Sequence, residues 1–100
     1  KEKNIISIFS TSDNLNHTIL KIISNLQDLK FISFNVIYGG NLKKKFIKAN
    51  KMNSSGCIIL GEDEYKRNEL VYKNFKTGIQ STLKEEFMKE FLQKEFSKNE

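Results

Sequence analysis

The apolar residues of this chain fall into short blocks whose spacing changes from one block to the next. NIISIFS, from Asn4 to Ser10, is β-branched and aromatic without a helix signal, and it predicts a strand buried on both faces. Ser12, Asp13 and Asn14 follow with the chemistry of a turn and a helix cap. Leu15, Ile19, Ile22, Leu26 and Leu29 then recur three or four residues apart, which is one apolar face of a helix, widened by Ile23. His17 lies off that stripe and is expected in solvent.

FISFNVIY, from Phe31 to Tyr38, alternates Ile32, Phe34 and Val36 with Ser33 and Asn35, the period of a second strand, and Gly39–Gly40 close it. NLKKKFIKANKMN predicts a second helix, with Leu42, Phe46 and Ala49 facing inward and Lys43, Lys44, Lys48 and Lys51 spread over the rest. A short apolar strand, Cys57 to Leu60, places Cys57 in the core. The chain then turns at GEDE. Leu70, Tyr72 and Lys73 form another strand, after an Asn68 able to take positive φ. Thr77 and Gly78 turn the chain again. A last helix follows Thr82, whose side chain forms a capping box with Glu85, and Leu83, Phe87, Met88, Phe91, Leu92 and Phe96 make its apolar stripe, expected in the core. Strand–helix–strand pieces imply parallel pairing and the strand–turn–strand piece an antiparallel hairpin, so the pattern predicts a mixed sheet with three helices.

Composition narrows the partners. A chain of 100 residues is read as one domain. Its net charge of +5 is carried by lysine, Arg67 being the lone arginine, which fits a polyanion partner bound through counterion release as well as a merely solubilising surface. No apolar run approaches the ~20 residues of a membrane span. Cys57 and His17 each stand alone, so there is no disulfide framework and no Cys-x-x-Cys metal pair, in keeping with a reducing, cytoplasmic setting. The helix start after Gly39–Gly40 can receive an anion, although neither dinucleotide nor P-loop spacing is present. The run Glu62, Asp63, Glu64 could hold a metal, act as an acid/base pair or sit on a turn; His17 is remote in sequence, and Cys57 is read as a core residue.

Further definition comes from LKKKFIKANK, CIILGEDE and LVYKNFKTGIQ. Together they closely resemble the C-terminal anticodon-binding domain of histidyl-tRNA synthetases, in a lysine-rich helix (Leu42 to Ala49), an apolar strand ending in Gly61 to Glu64, then Lys73, and then Thr77, Gly78 and Gln80. The spacing matches without a gap over about forty residues. Gly40 and Asn41 stand where the family usually has basic residues, Asn68 where it has glycine, and proline is absent. The resemblance implies an α/β fold: a mixed five-stranded sheet, mostly parallel with an antiparallel hairpin, flanked by three helices. It implies that residues 1–100 are a single anticodon-binding domain, the C-terminal part of a longer synthetase. That parent would be a histidine–tRNA ligase, a homodimer in the cytoplasm that activates histidine with ATP and Mg in a catalytic domain upstream. The segment itself would hold no catalytic residue, cofactor or metal. Its partners would be the anticodon loop of tRNA-His and the catalytic domain of its own chain, with no membrane.

Anticodon bases are unpaired and can be stacked upon or read at their edges. Within the resemblance, Glu64 is the candidate reader of a base edge, presented at the end of an interior strand, and Lys73 either pairs with Glu64 across the sheet or meets a phosphate. Asn41 can read a base edge or cap the helix. Lys43 and Lys44 are phosphate candidates, and Tyr38 offers a ring for stacking. The alternatives are a synthetase-like paralogue that keeps the module for regulation or dimerisation, a small metal-dependent enzyme built on the carboxylates, and a flavodoxin-like domain with FSTSDN as its phosphate loop.

Overall fold

The computed structural model describes residues 3–97. Five strands form one sheet: β1 (Asn4–Ser10), β2 (Ile32–Val36), β3 (Gly56–Leu60), β4 (Glu69–Asn74) and β5 (Gln80–Lys84), in the spatial order β2-β1-β3-β4-β5. β1 lies parallel to β2 and to β3, with Ile8 opposite both Val36 and Ile58. β3–β4 and β4–β5 are antiparallel, so the four pairings of this mixed sheet divide evenly between the two kinds. The helices are α1 (Asn16–Leu26), α2 (Leu42–Lys51), the five-residue α3 (Glu62–Lys66) and α4 (Glu85–Ser97).

Side-chain alternation along the strands divides the interior in two. On one face Ile6, Ile8, Ile58, Leu60, Leu70 and Tyr72 pack against Ile19, Ile22 and Leu26 of α1 and Met88 and Leu92 of α4. On the other, Phe9, Ile37, Cys57, Ile59 and Val71 meet Ala49 and Phe46 of α2. The first face carries the larger core, which also encloses the Tyr72 hydroxyl; the second is smaller, and α2 covers it together with Phe75. Cys57 is fully buried, and burial pushes its thiol up to about 12, so it is a core residue and not a nucleophile.

Strand β1 spans the residues its composition predicts, and α1 buries three members of its stripe, Ile19, Ile22 and Leu26, with Leu29 buried just beyond. His17 is exposed, and Asn68 takes φ 59 at the start of β4. The carboxyl-terminal third differs. Thr82 and Leu83 belong to β5, opposite Val71 and Leu70, and α4 begins only at Glu85, so Thr82 forms no capping box. The stripe of α4 is also less buried than expected. Met88 and Leu92 are inside, Phe91 and Phe96 half-buried, and Phe87 is 53% exposed because it lies around the helix from the sheet.

Candidate nucleic-acid interface

The three parallel strands β2, β1 and β3 end on the same edge of the sheet. α1 leaves β1 toward one face and α2 leaves β2 toward the other, so a crevice opens at this edge around the end of β1, the place where open α/β sheets bind ligands. Three turns border it: Thr11–Asn14 after β1, Tyr38–Asn41 after β2, and Gly61 with α3 after β3.

The β2–α2 turn is shaped by two glycines in the left-handed region, Gly39 at φ +76 and Gly40 at φ +79. A side chain at Gly39 would meet open space, and at Gly40 a Cβ would make only ordinary contact with the Lys44 side chain at 3.4 Å, so the requirement at both is conformational. Asn41 caps α2: its Oδ1 accepts from the Lys44 amide at 2.9 Å. The cap uses the acceptor and leaves the side-chain NH2, which has no partner among the described residues, at the mouth of the turn. Tyr38 is half-exposed beside it, as a stacking ring must be. Lys43 and Lys44 are both exposed on the first turn of α2, but only Lys44 lines the depression of about 550 Å³ between α2 and the end of β2. That depression is bordered by four lysines, 44, 45, 48 and 51, together with Ile37, Tyr38, Gly39, Gly40 and Ile47, and by no acidic residue.

Lys45 is the residue that sequence reasoning missed. It is 4% exposed, and its Nζ donates to the Ser10 carbonyl at 2.8 Å, at the end of β1. Leu42, by contrast, is 41% exposed and not inward. The inward row of α2 is Lys45, Phe46 and Ala49. Residues 45 and 49 are four apart and share a face; that spacing was the available signal, masked by the expectation that lysine belongs in water.

Glu64 is not at the end of a strand. It is the third residue of α3, whose N-cap is Gly61. Its carboxylate folds back over Gly61, where a Cβ would stand 1.9 Å from Oε1, and its Oε2 lies 4.0 Å from Arg67 Nη2. Glu62, Asp63 and Glu64 all occupy the first turn of this helix, where carboxylates are stabilised by the positive end of the helix dipole. That arrangement accounts for the acidic run. Among the described residues no group of three His, Cys, Asp or Glu side chains could hold a metal ion.

Lys73 and Glu64 are not brought together. Lys73 pairs in register with Cys57 near the amino end of β3, while Glu64 follows its carboxyl end, so at least three residues of strand, about 10 Å, separate them. Lys73 instead holds its Nζ 5.2 Å from the Phe46 ring centroid, a cation–π contact that closes the lower side of α2. Of the six candidates, Tyr38, Asn41, Lys43 and Lys44 thus cluster at the start of α2, Glu64 sits on the same edge two strand positions away, and Lys73 lies outside the group.

A sheet of this order, with helices on both faces, has counterparts among known proteins. A family model described as anticodon binding domain matches residues 4–95. The chain belongs to the anticodon binding domain family. Among curated relatives, it is 30% identical over 92 residues to a histidine–tRNA ligase of Archaeoglobus fulgidus, spanning 92% of this chain and 22% of that protein. It is 36% identical over 62 residues to the histidine–tRNA ligase of Rhodospirillum rubrum, spanning 62% of this chain and 14% of that protein. The chain thus covers about a fifth or less of the curated relatives it matches. Among solved structures, the histidyl-tRNA synthetase of a Nostoc species superposes with a TM-score of 0.79 at 22% identity over 95% of this chain and 23% of that one. The apo S. aureus histidyl-tRNA synthetase gives 0.77 at 21% identity over 91% of this chain and 27% of that one. The RNA binding domain of threonyl-tRNA synthetase from Cryptosporidium parvum gives 0.70 at 16% identity over 86% of this chain and 22% of that one. These likenesses establish the fold.

Proposed function

We propose that this anticodon-binding domain serves a histidine–tRNA ligase and holds the anticodon loop of tRNA-His while the catalytic domain of the same protein charges the acceptor end. Histidine activation with ATP and Mg, the homodimer and the cytoplasmic setting belong to that whole protein. The observation that carries the reading is the start of α2: a left-handed Gly39–Gly40 turn, a helix start without acid and capped by Asn41, Lys43 and Lys44, and an exposed Tyr38, on the carboxyl edge of a domain whose curated relatives are histidine–tRNA ligases.

In this reading Lys44, and beside it Lys43, take phosphates of the loop, Tyr38 stacks on an unpaired base, and the Asn41 amide offers donors to a base edge. Glu64, two strand positions along the same edge, is the acceptor for a base that reaches past the crevice. Lys73 serves the fold through Phe46 and stands outside the contact set. The test is equilibrium binding of the chain to tRNA-His transcripts in which the anticodon bases are changed one at a time. At least one change should weaken binding about tenfold, the scale of one lost base contact. Equal affinity for every transcript would reduce the domain to a non-specific basic module and overturn the proposal.

A further inference from the structure

The Lys45 ammonium is a buried charge with half of its chemistry accounted for. Ile37 N donates to the Ile8 carbonyl as β2 leaves the sheet, and the next β1 carbonyl on that side, Ser10, has no strand residue opposite it. Lys45 Nζ supplies the missing donor at 2.8 Å. That single bond uses one of three N–H donors. Among the described residues no carboxylate comes within ion-pair distance of Lys45, although it is 4% exposed. A buried cation without a counter-charge is unfavourable, and capping a carbonyl does not require one, since a neutral donor would do. The same side chain borders the depression beside Tyr38, Gly39 and Gly40, together with Lys44 and Lys48, where no acid is present.

We infer that this depression is a phosphate seat for the bound RNA strand, with Lys45 as its buried floor and Lys44 and Lys48 as its rim. A phosphate oxygen supplies both what Lys45 lacks, a negative charge and an acceptor, whereas a base carbonyl supplies only the acceptor. Lys45 thereby couples the anticodon strand to the end of β1: the group that ties α2 to the sheet is the group that holds the phosphate. The inference rests on the anticodon-binding reading and adds to it a contact that none of the exposed candidates makes.

The experiment pairs Lys45→Met, which keeps the length and apolar stem of the side chain, with a scan of the RNA. Anticodon-loop RNAs carrying one uncharged methylphosphonate linkage at a time are bound to the wild-type chain and to the variant across a salt series. For the unmodified loop, Lys45→Met should bind roughly tenfold more weakly at low salt and show a slope of log K against log salt shallower by about 0.7, one single-strand phosphate contact. One linkage should weaken the wild type and be neutral in the variant. An unchanged salt slope, or no linkage coupled to Lys45, would leave Lys45 as a cap for Ser10 and overturn the seat. If Lys45→Met fails to fold, the wild type decides: the amide resonances of Gly39, Gly40 and Lys45 should shift with the unmodified loop and stay unmoved with the neutralised linkage, and equal shifts with every loop would overturn the seat. Failure of the anticodon reading shows separately, as equal affinity for loops of different anticodon sequence while a linkage still couples to Lys45.

Discussion

The turn after β2 and the turn after β3 occupy equivalent places, each carrying a parallel strand into a helix at the carboxyl edge of the sheet, yet they are built on opposite electrostatic terms. α3 starts with Glu62, Asp63 and Glu64 and has Lys66 in its last turn, so its charges match its dipole. α2 has no acid in its first turn and carries Lys43 and Lys44 there, each placed against the dipole. By the same rule these lysines cost a few tenths of a kcal/mol apiece. Asn41 offsets part of that through its cap. The contrast teaches where an external anion can go. At α3 the protein's own carboxylates already fill the first turn. At α2 the first turn carries no acid, and among the described residues neither the two exposed lysines nor the buried one has a carboxylate partner. A local arrangement that works against stability is the expected mark of a functional site.

The largest effects are expected from changes in the turns themselves. Gly40→Ala places an alanine in the left-handed region, and is expected to lower stability by about 1–3 kcal/mol in urea unfolding. Gly61→Ala has no such problem, because Gly61 is extended at φ −90; its Cβ displaces only the end of the flexible Glu64 side chain. It should cost less than about 1 kcal/mol. Equal losses at the two glycines would mean that the backbone of the β2–α2 turn does not require the left-handed conformation at Gly40.

Charge reversal on the rim comes next in size. Lys44→Glu is expected to weaken RNA binding at least tenfold at low salt, roughly 1.4 kcal/mol, and to flatten the salt dependence. The same change should raise stability by roughly 0.3–1 kcal/mol, since it places a carboxylate at the dipole's positive end. The opposite signs are the point of the measurement. If stability fell together with binding, Lys44 would be a structural residue, and α2 would not be held against its own dipole for the sake of a ligand.

The elements that frame these turns were legible in the sequence to unequal degrees. β1 was readable because β-branched residues cluster without a helical period, and α1 because its stripe is long enough to establish one. Asn41 as a cap and Asn68 at positive φ follow from side-chain chemistry that acts locally. α3 escaped because five residues cannot display a period of 3.6. β5 escaped because Leu83 satisfies two patterns at once, the stripe of α4 and an inward strand position opposite Leu70. The Thr82–Glu85 spacing then imitated a helix start. Five strands followed from the family resemblance, not from the pattern. At the site, the clustering of Tyr38, Asn41 and Lys44 was visible because the three are neighbours in sequence. The separation of Glu64 from Lys73 was not, because it depends on strand register, which side-chain spacing leaves open.

The smallest effects separate the three carboxylates of α3. Glu62 and Asp63 are exposed and meet the dipole from outside, whereas Glu64 is half-buried over Gly61 with Arg67 at 4.0 Å. Neutralising Glu62 or Asp63 to the amide should cost roughly 0.3–1 kcal/mol of stability or less and leave anticodon preference unchanged. It should also raise non-specific RNA affinity slightly, because a like charge is removed from the edge. Glu64→Gln should cost a similar amount of stability but behave differently with RNA. An amide keeps one acceptor oxygen and adds two donors where a base donor is expected, so affinity for the cognate anticodon should fall a few-fold while affinity for altered anticodons holds or rises. Binding of cognate and altered transcripts to the three variants at one salt concentration gives the answer. If Glu64→Gln tracks Glu62→Gln in every transcript, all three acids serve the helix start alone. The edge would then be read entirely from the α2 side, and the contrast between the two turns would be complete: one turn binds, and the other only folds.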